Sequence, residues 1–166
     1  MLNKLNQFSP CSDALGWMKT QDSPETAWQN CERGDWMLWI AKKLGVDDRK
    51  LTMAKYHCAA QVLHLMKDQR SLDAMAACLR YVNGEISREE LNAAASYAAY
   101  AAASYTSYAA AAASYAAYAA ASYTFYAAAS YAAASYAARK ESLKKSADIC
   151  RQYLTEGVFI KFNNLK

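Results

Sequence analysis

His57 and His64 stand seven residues apart, with Cys58 beside the first and Cys78 further along the chain. Imidazole and thiolate are the ligands zinc prefers, but structural zinc sites use tighter spacing, C-x-x-C or H-x-x-x-H, and neither pattern occurs. The histidines read as a pair on one helix face, satisfied in the core or at the surface, and no metal ligand is assigned. Glu89 and Glu90 are explained by capping and by the helix dipole, which favours acids in a first turn. No G-x-G-x-x-G, P-loop, G-x-S-x-G or H-E-x-x-H is present. The sequence therefore predicts no catalytic residue and no cofactor.

Recognition is the chemistry left to weigh. Glu32, Arg33 and Asp35 are wedged among Trp28, Trp36 and Trp39. Trp and Arg are favoured at binding hot spots, which makes Arg33, Trp36 and Trp39 candidates for a ligand or partner site. Trp28, Cys31, Asp35 and Trp39 also share one helical stripe, the pattern of a plain core-facing helix. A second candidate is the basic tail, with Arg139, Lys140, Lys144, Lys145 and Arg151. Cations suit the end of a helix dipole. With tyrosines nearby they also form a cationic mouth that could hold an anionic nucleotide by stacking and charge.

Four short helices position the first group. Ser23-Pro24-Glu25 combines a hydroxyl N-cap, Pro at the first helical position and an acid in the first turn, and predicts a helix running to Gly45. Asp47 and Asp48 open the next, Ser71 opens a third that Gly84 closes, and a shorter one covers about Asp13–Lys19. No stretch alternates with the strand period.

The segment "ETAWQNCERGDWMLWIAKKLG" resembles a family of Ala-rich helical proteins found in phages and bacteria, with a pattern close to AW-x-x-C-x-R-x-DWMLWL ahead of an Ala-rich region. The matching positions are Ala27, Trp28, Cys31, Arg33, Asp35, Trp36, Met37, Leu38 and Trp39. That family is similar in turn to the helical immunity-protein-like domains of polymorphic toxin systems. The resemblance implies an accessory role, as an immunity-type inhibitor or an anti-defence factor, and no established catalysis.

The second half is unusual. Residues 93–138 carry no charge, Gly or Pro and are written almost wholly in Ala, Tyr and Ser. Ser87-Arg88-Glu89-Glu90 is a capping box, and no Gly or Pro follows until Gly157. Ala is the strongest helix former, so one uninterrupted helix is expected over 87–156, on the order of 100 Å long. Its eighteen-residue repeat equals five turns at about 3.6 residues each. Tyr97, Tyr100, Tyr105, Tyr108, Tyr115, Tyr118, Tyr123 and Tyr126 thus fall on one face, with Ala opposite. A helix without a charged face needs company in water, so these tyrosines are the candidate self-association residues.

The predicted fold is all-α: a small helical domain (1–86), a very long Ala/Tyr-rich helix (87–156) packed in an oligomeric bundle, and a short extended tail (157–166). The slightly negative mean hydropathy, with ten Tyr and seven Ser in 93–138, argues against a membrane span. Five widely spaced cysteines suggest buried thiols in a reducing cytoplasm. Residues 1–92 hold twelve basic and twelve acidic side chains and residues 139–166 seven and three. That balance is far from the dense basic patch of a sequence-specific nucleic-acid binder. Two functions remain. One is a non-enzymatic, self-associating module that binds another protein. The other is a protein that sequesters a nucleotide-like small molecule in a Tyr/Arg-lined pocket.

Overall fold

Side-chain capping sets four of the helix starts in the computed structural model, which describes residues 2–66, 68–103 and 136–165. Among these residues the chain is all-α, with eight α-helices, one short 3-10 turn and no strand. α1 (Leu2–Asn6) and α2 (Ser12–Met18) come first. The Ser23 hydroxyl accepts the Thr26 N–H at 3.0 Å, and Pro24 takes the first position of α3 (Pro24–Asn30). α4 (Gly34–Lys43) runs out into Gly45, whose φ of +70° is the left-handed conformation that ends helices. The Asp47 carboxylate accepts the Arg49 and Lys50 N–H groups at 3.1 and 2.9 Å and opens α5 (Asp48–Ala60). A 3-10 turn (Leu63–Leu65) leads to α6 (Gln69–Val82). Ser87 and Glu90 close the expected capping box, at 3.2 and 2.8 Å, ahead of α7 (Arg88–Ala103). The last helix is α8 (Tyr136–Asn163).

α8 packs between α4 and α5 and touches α3, while α6 joins α5 to α7. Leu143, Ala147, Cys150, Leu154 and Val158 recur every three or four residues and form the buried stripe of α8. Most of that stripe meets Trp28, Met37, Leu51, Ala54 and Cys58 in the main core. Leu91 of α7 joins a smaller cluster with Cys78, Tyr81 and Ile86, and Ala98 lies against Ala74. Tyr56 packs against both larger clusters. Asp48 ties three helices together: it accepts the Tyr81 hydroxyl at 2.8 Å and pairs with Arg88, which lies 4.4 Å over the Tyr81 ring.

Several expectations change. The helix expected from Ser23 to Gly45 is two helices, broken at Cys31–Arg33. Arg151 of α8 donates to the carbonyls of Trp28, Gln29 and Cys31 at 3.2, 3.1 and 2.9 Å. A continuous helix would turn those same oxygens toward its own N–H groups four residues on. Trp28, Cys31, Asp35 and Trp39 therefore do not share a single helical stripe. α6 opens at Asp68, whose carboxylate accepts the Arg70 N–H at 2.9 Å, and Ser71 is buried inside the helix. Gly157 does not end α8, and the tail expected to be extended is helical to Asn163. A Cβ on Gly157 would lie 2.9 Å from Val46 Cγ1, so this glycine makes room for Val46. The main core joins residues 28–75 to residues 147–158, so a boundary at residue 86 does not separate two cores.

The uninterrupted helix expected over 87–156 is not what the described residues show. α7 and α8 are anchored on the paired helices α5 and α6, with Tyr56 in contact with both sets of core residues. One straight helix would carry Leu91 and Cys150 roughly 90 Å apart. The middle of the repeat, with Tyr105, Tyr108, Tyr115, Tyr118, Tyr123 and Tyr126, lies outside the described residues.

Candidate functional site

Every tryptophan in the chain lines one cleft. Trp17 arrives on α2, Trp28 on α3, and Trp36 and Trp39 on α4. Phe159 and Phe162 of α8, with Met18 and Met37, complete much of the apolar wall, and the open-sided cleft has a volume of about 640 Å³. Trp28 is the best fixed. Its indole N–H donates to the Thr155 hydroxyl at 2.9 Å, and its ring meets Phe159 edge-on at 6.4 Å. The Trp17 and Trp36 rings lie 6.0 Å apart and tilted by 53°, which brings α2 to the mouth of the cleft.

Five charged side chains line the same space: Asp13, Arg33, Asp35, Lys42 and Lys55. Arg33 grips Asp35 with two hydrogen bonds, at 2.9 and 2.7 Å, and lies 4.3 Å over the Trp36 ring. Guanidinium, carboxylate and indole thus form one stacked unit. Asp13 sits exposed at the outer edge. Lys55 is the buried cation among the described residues, 7% exposed on α5. Burial first and the charge of Lys42 second pull its ammonium down to about 8, with Cys78 acting the other way. Burial also pushes the Cys31 thiol, which lines the cleft, up to about 11. Such a thiol stays protonated and is a poor nucleophile.

Of the residues singled out in the sequence, Arg33, Trp36 and Trp39 meet in this cleft. The basic tail does not join them. Arg151 binds Asp148 at 2.7 Å and the three α3 carbonyls, Lys144 reaches Glu32 at 3.1 Å, and Lys140 is exposed. Arg139 lies in the first turn of α8. Tyr97 stands 66% exposed on α7, away from the cleft, and Tyr100 follows on the same helix. No tyrosine among the described residues lines the cleft. His57 stacks on Tyr153 at 4.9 Å, whereas His64 lies in the 3-10 turn, so the two do not share a helix. Among the described residues no cluster of His, Cys, Asp and Glu is placed to hold a metal, and no helix is long and apolar enough to cross a membrane.

Trp17, Phe159, Lys42 and Lys55 were not singled out in the sequence. Trp17 and Phe159 reach the cleft only through packing between distant segments, and Lys42 follows Trp39 by three residues on α4. Lys55 carries a local signal: it falls on the buried face marked by Leu51, Cys58 and Ala59, where a lysine breaks the apolar pattern.

No family model, curated protein or solved structure is similar to this chain.

Proposed function

We propose that this chain is a non-enzymatic binding protein that holds the apolar body of a small molecule in the tryptophan cleft. The observation that carries this reading is the gathering of all four tryptophans, from three helices, around one space of about 640 Å³. Ligand sites are concave, mostly apolar and roughly 300–1,000 Å³ in volume, with few polar groups. Trp also places large rigid area at low entropic cost. The buried protonated thiol of Cys31 and the paired Asp35 suit holding better than turnover.

Native mass spectrometry of the purified protein, with intrinsic tryptophan fluorescence, tests this. A co-purifying small molecule, or saturable quenching by apolar probes that Trp36→Ala weakens at least tenfold, is expected. An empty protein whose fluorescence ignores every apolar probe overturns the reading.

A second reading keeps one observation of its own. Tyr97 belongs to the phenol face of the repeat and is 66% exposed, as self-association through that face requires. In this reading the protein is an interaction module that binds itself and another protein, including the immunity-type or anti-defence role that the resemblance implies. Light scattering decides it: a monomer at micromolar concentration removes it.

A further inference from the structure

We propose that Lys55 is a covalent attachment point, its amine forming an imine with an apolar aldehyde whose body lies in the tryptophan cleft. The proposal rests on the binding reading above and adds the chemical class of the ligand and the bond that holds it. Lys55 reaches the cleft from α5 and is buried in its wall, while indole and phenyl rings from α2, α3, α4 and α8 line the same space. An apolar chain seated against those rings therefore places its carbonyl end beside an amine. Two buried nucleophiles line the cleft, Cys31 and Lys55. Cys31 is kept as a thiol by burial, with its titration near 11, which leaves the amine as the reactive group.

Desolvation and a neighbouring cation are the two conditions that make a lysine an imine-forming nucleophile. Burial supplies the first and Lys42 of α4 the second, and the Lys55 titration falls from 10.5 to about 8, with Cys78 of α6 acting the other way. At pH 7 roughly one Lys55 in ten is then uncharged, against about one in 3,000 at the ordinary value. Both lysines are engaged in interactions, Lys42 with Asp48 at 4.0 Å. The step does not need an unengaged ammonium, because the attacking species is the uncharged fraction in equilibrium with it. The Lys55 nitrogen adds its lone pair to the carbonyl carbon, and the π pair of the C=O bond moves to oxygen. The carbon–nitrogen double bond then forms as that oxygen leaves as water with both amine hydrogens. Nothing is oxidised or reduced, and hydrolysis reverses the step, which suits a protein that holds its ligand.

The probes are decanal and decan-1-ol, which share an apolar chain and differ in whether an imine can form. Decanal is added to the full chain at pH 7 with cyanoborohydride, which reduces an imine to a stable secondary amine. Peptide mass spectrometry then locates the labelled lysine. Lys55 is expected to be labelled about tenfold or more faster than any other lysine. Excess decan-1-ol, its binding followed by tryptophan fluorescence, is expected to suppress that label and leave labelling of exposed lysines unchanged. Lys55→Met is expected to lose the label and still bind decan-1-ol; if it does not fold by circular dichroism, the wild-type map carries the test. Binding of decan-1-ol with no preference for Lys55 overturns the imine and leaves the binding reading standing. Preferential Lys55 labelling that decan-1-ol does not suppress overturns the cleft as the place where the aldehyde is held. Failure of decan-1-ol to bind and of Lys55 to react overturns both readings.

Discussion

Gly34 and Ser146 bring α4 and α8 into backbone contact. A Cβ built on Gly34 would lie 2.5 Å from Ser146 Cβ, 2.6 Å from the Ser146 carbonyl carbon and 2.7 Å from the Ala147 nitrogen. The first turn of α4 therefore rests directly on α8, and the Cys150 thiol donates to the Gly34 carbonyl at 3.7 Å. This contact sets the separation between the helix that carries Trp36 and Trp39 and the helix that carries Phe159.

Gly34→Ala is expected to lower unfolding stability by about 3 kcal/mol, the upper end of overpacking costs. Ser146→Gly is expected to restore little of it, because two of the three close atoms are backbone. Urea denaturation of the single and double variants measures this. Full recovery in the double variant would show that the helices can separate freely.

Arg151→Ala leaves the carbonyls at the end of α3 without their guanidinium donor. A loss of about 2–3 kcal/mol is expected, in the range for unmaking buried hydrogen bonds to a charged group. Arg151→Lys should recover only part, since one ammonium does not reproduce the planar fork. Equal stability of all three proteins would sink this account of the helix break.

Lys55 gives a pH dependence with a defined sign. Its folded titration near 8 lies below the ordinary 10.5, so between those values the unfolded chain binds more protons and stability rises with pH. At roughly 1.4 kcal/mol per pH unit the interval corresponds to about 3 kcal/mol. The Cys31, Cys78 and Cys150 thiols, raised by burial, act oppositely above pH 9. Cys31 and Cys150 are common to wild type and Lys55→Met and cancel in the difference, whereas Cys78, whose thiol the Lys55 charge pulls down against the larger effect of burial, leaves a smaller contribution of its own above pH 9. Lys55→Met should be the more stable protein at pH 7, with its advantage narrowing by about 3 kcal/mol on approach to pH 10.5. Denaturation series across this range would refute the prediction with a constant gap.

Thiol reactivity should single out Cys11. It is exposed, whereas Cys31, Cys58, Cys78 and Cys150 are buried. A disulfide reagent at pH 8 is expected to modify one thiol rapidly in the native protein and all five in denaturant. Rapid modification of a second thiol contradicts the packing of α8 on α5, where Cys58 and Cys150 lie.

Local chemistry determined much of the secondary structure. Ser23-Pro24, Asp47, the Ser87–Glu90 box, Gly45 and Gly84 act within a few residues of themselves, and each does in the structure what its type and position require. The all-α class and the core role of Trp28 were legible for the same reason. What only the tertiary structure decided are the events that link distant segments. Arg151 stops a helix some 120 residues away, Val46 occupies the space beside Gly157, and both flanks of the alanine-rich repeat return to the α5–α6 pair. The cleft belongs to this second kind. Trp17, Trp36 and Phe159 have ordinary local settings and become one wall only because Gly34 lets α4 lie flat on α8, a contact whose energy depends on through-space distance.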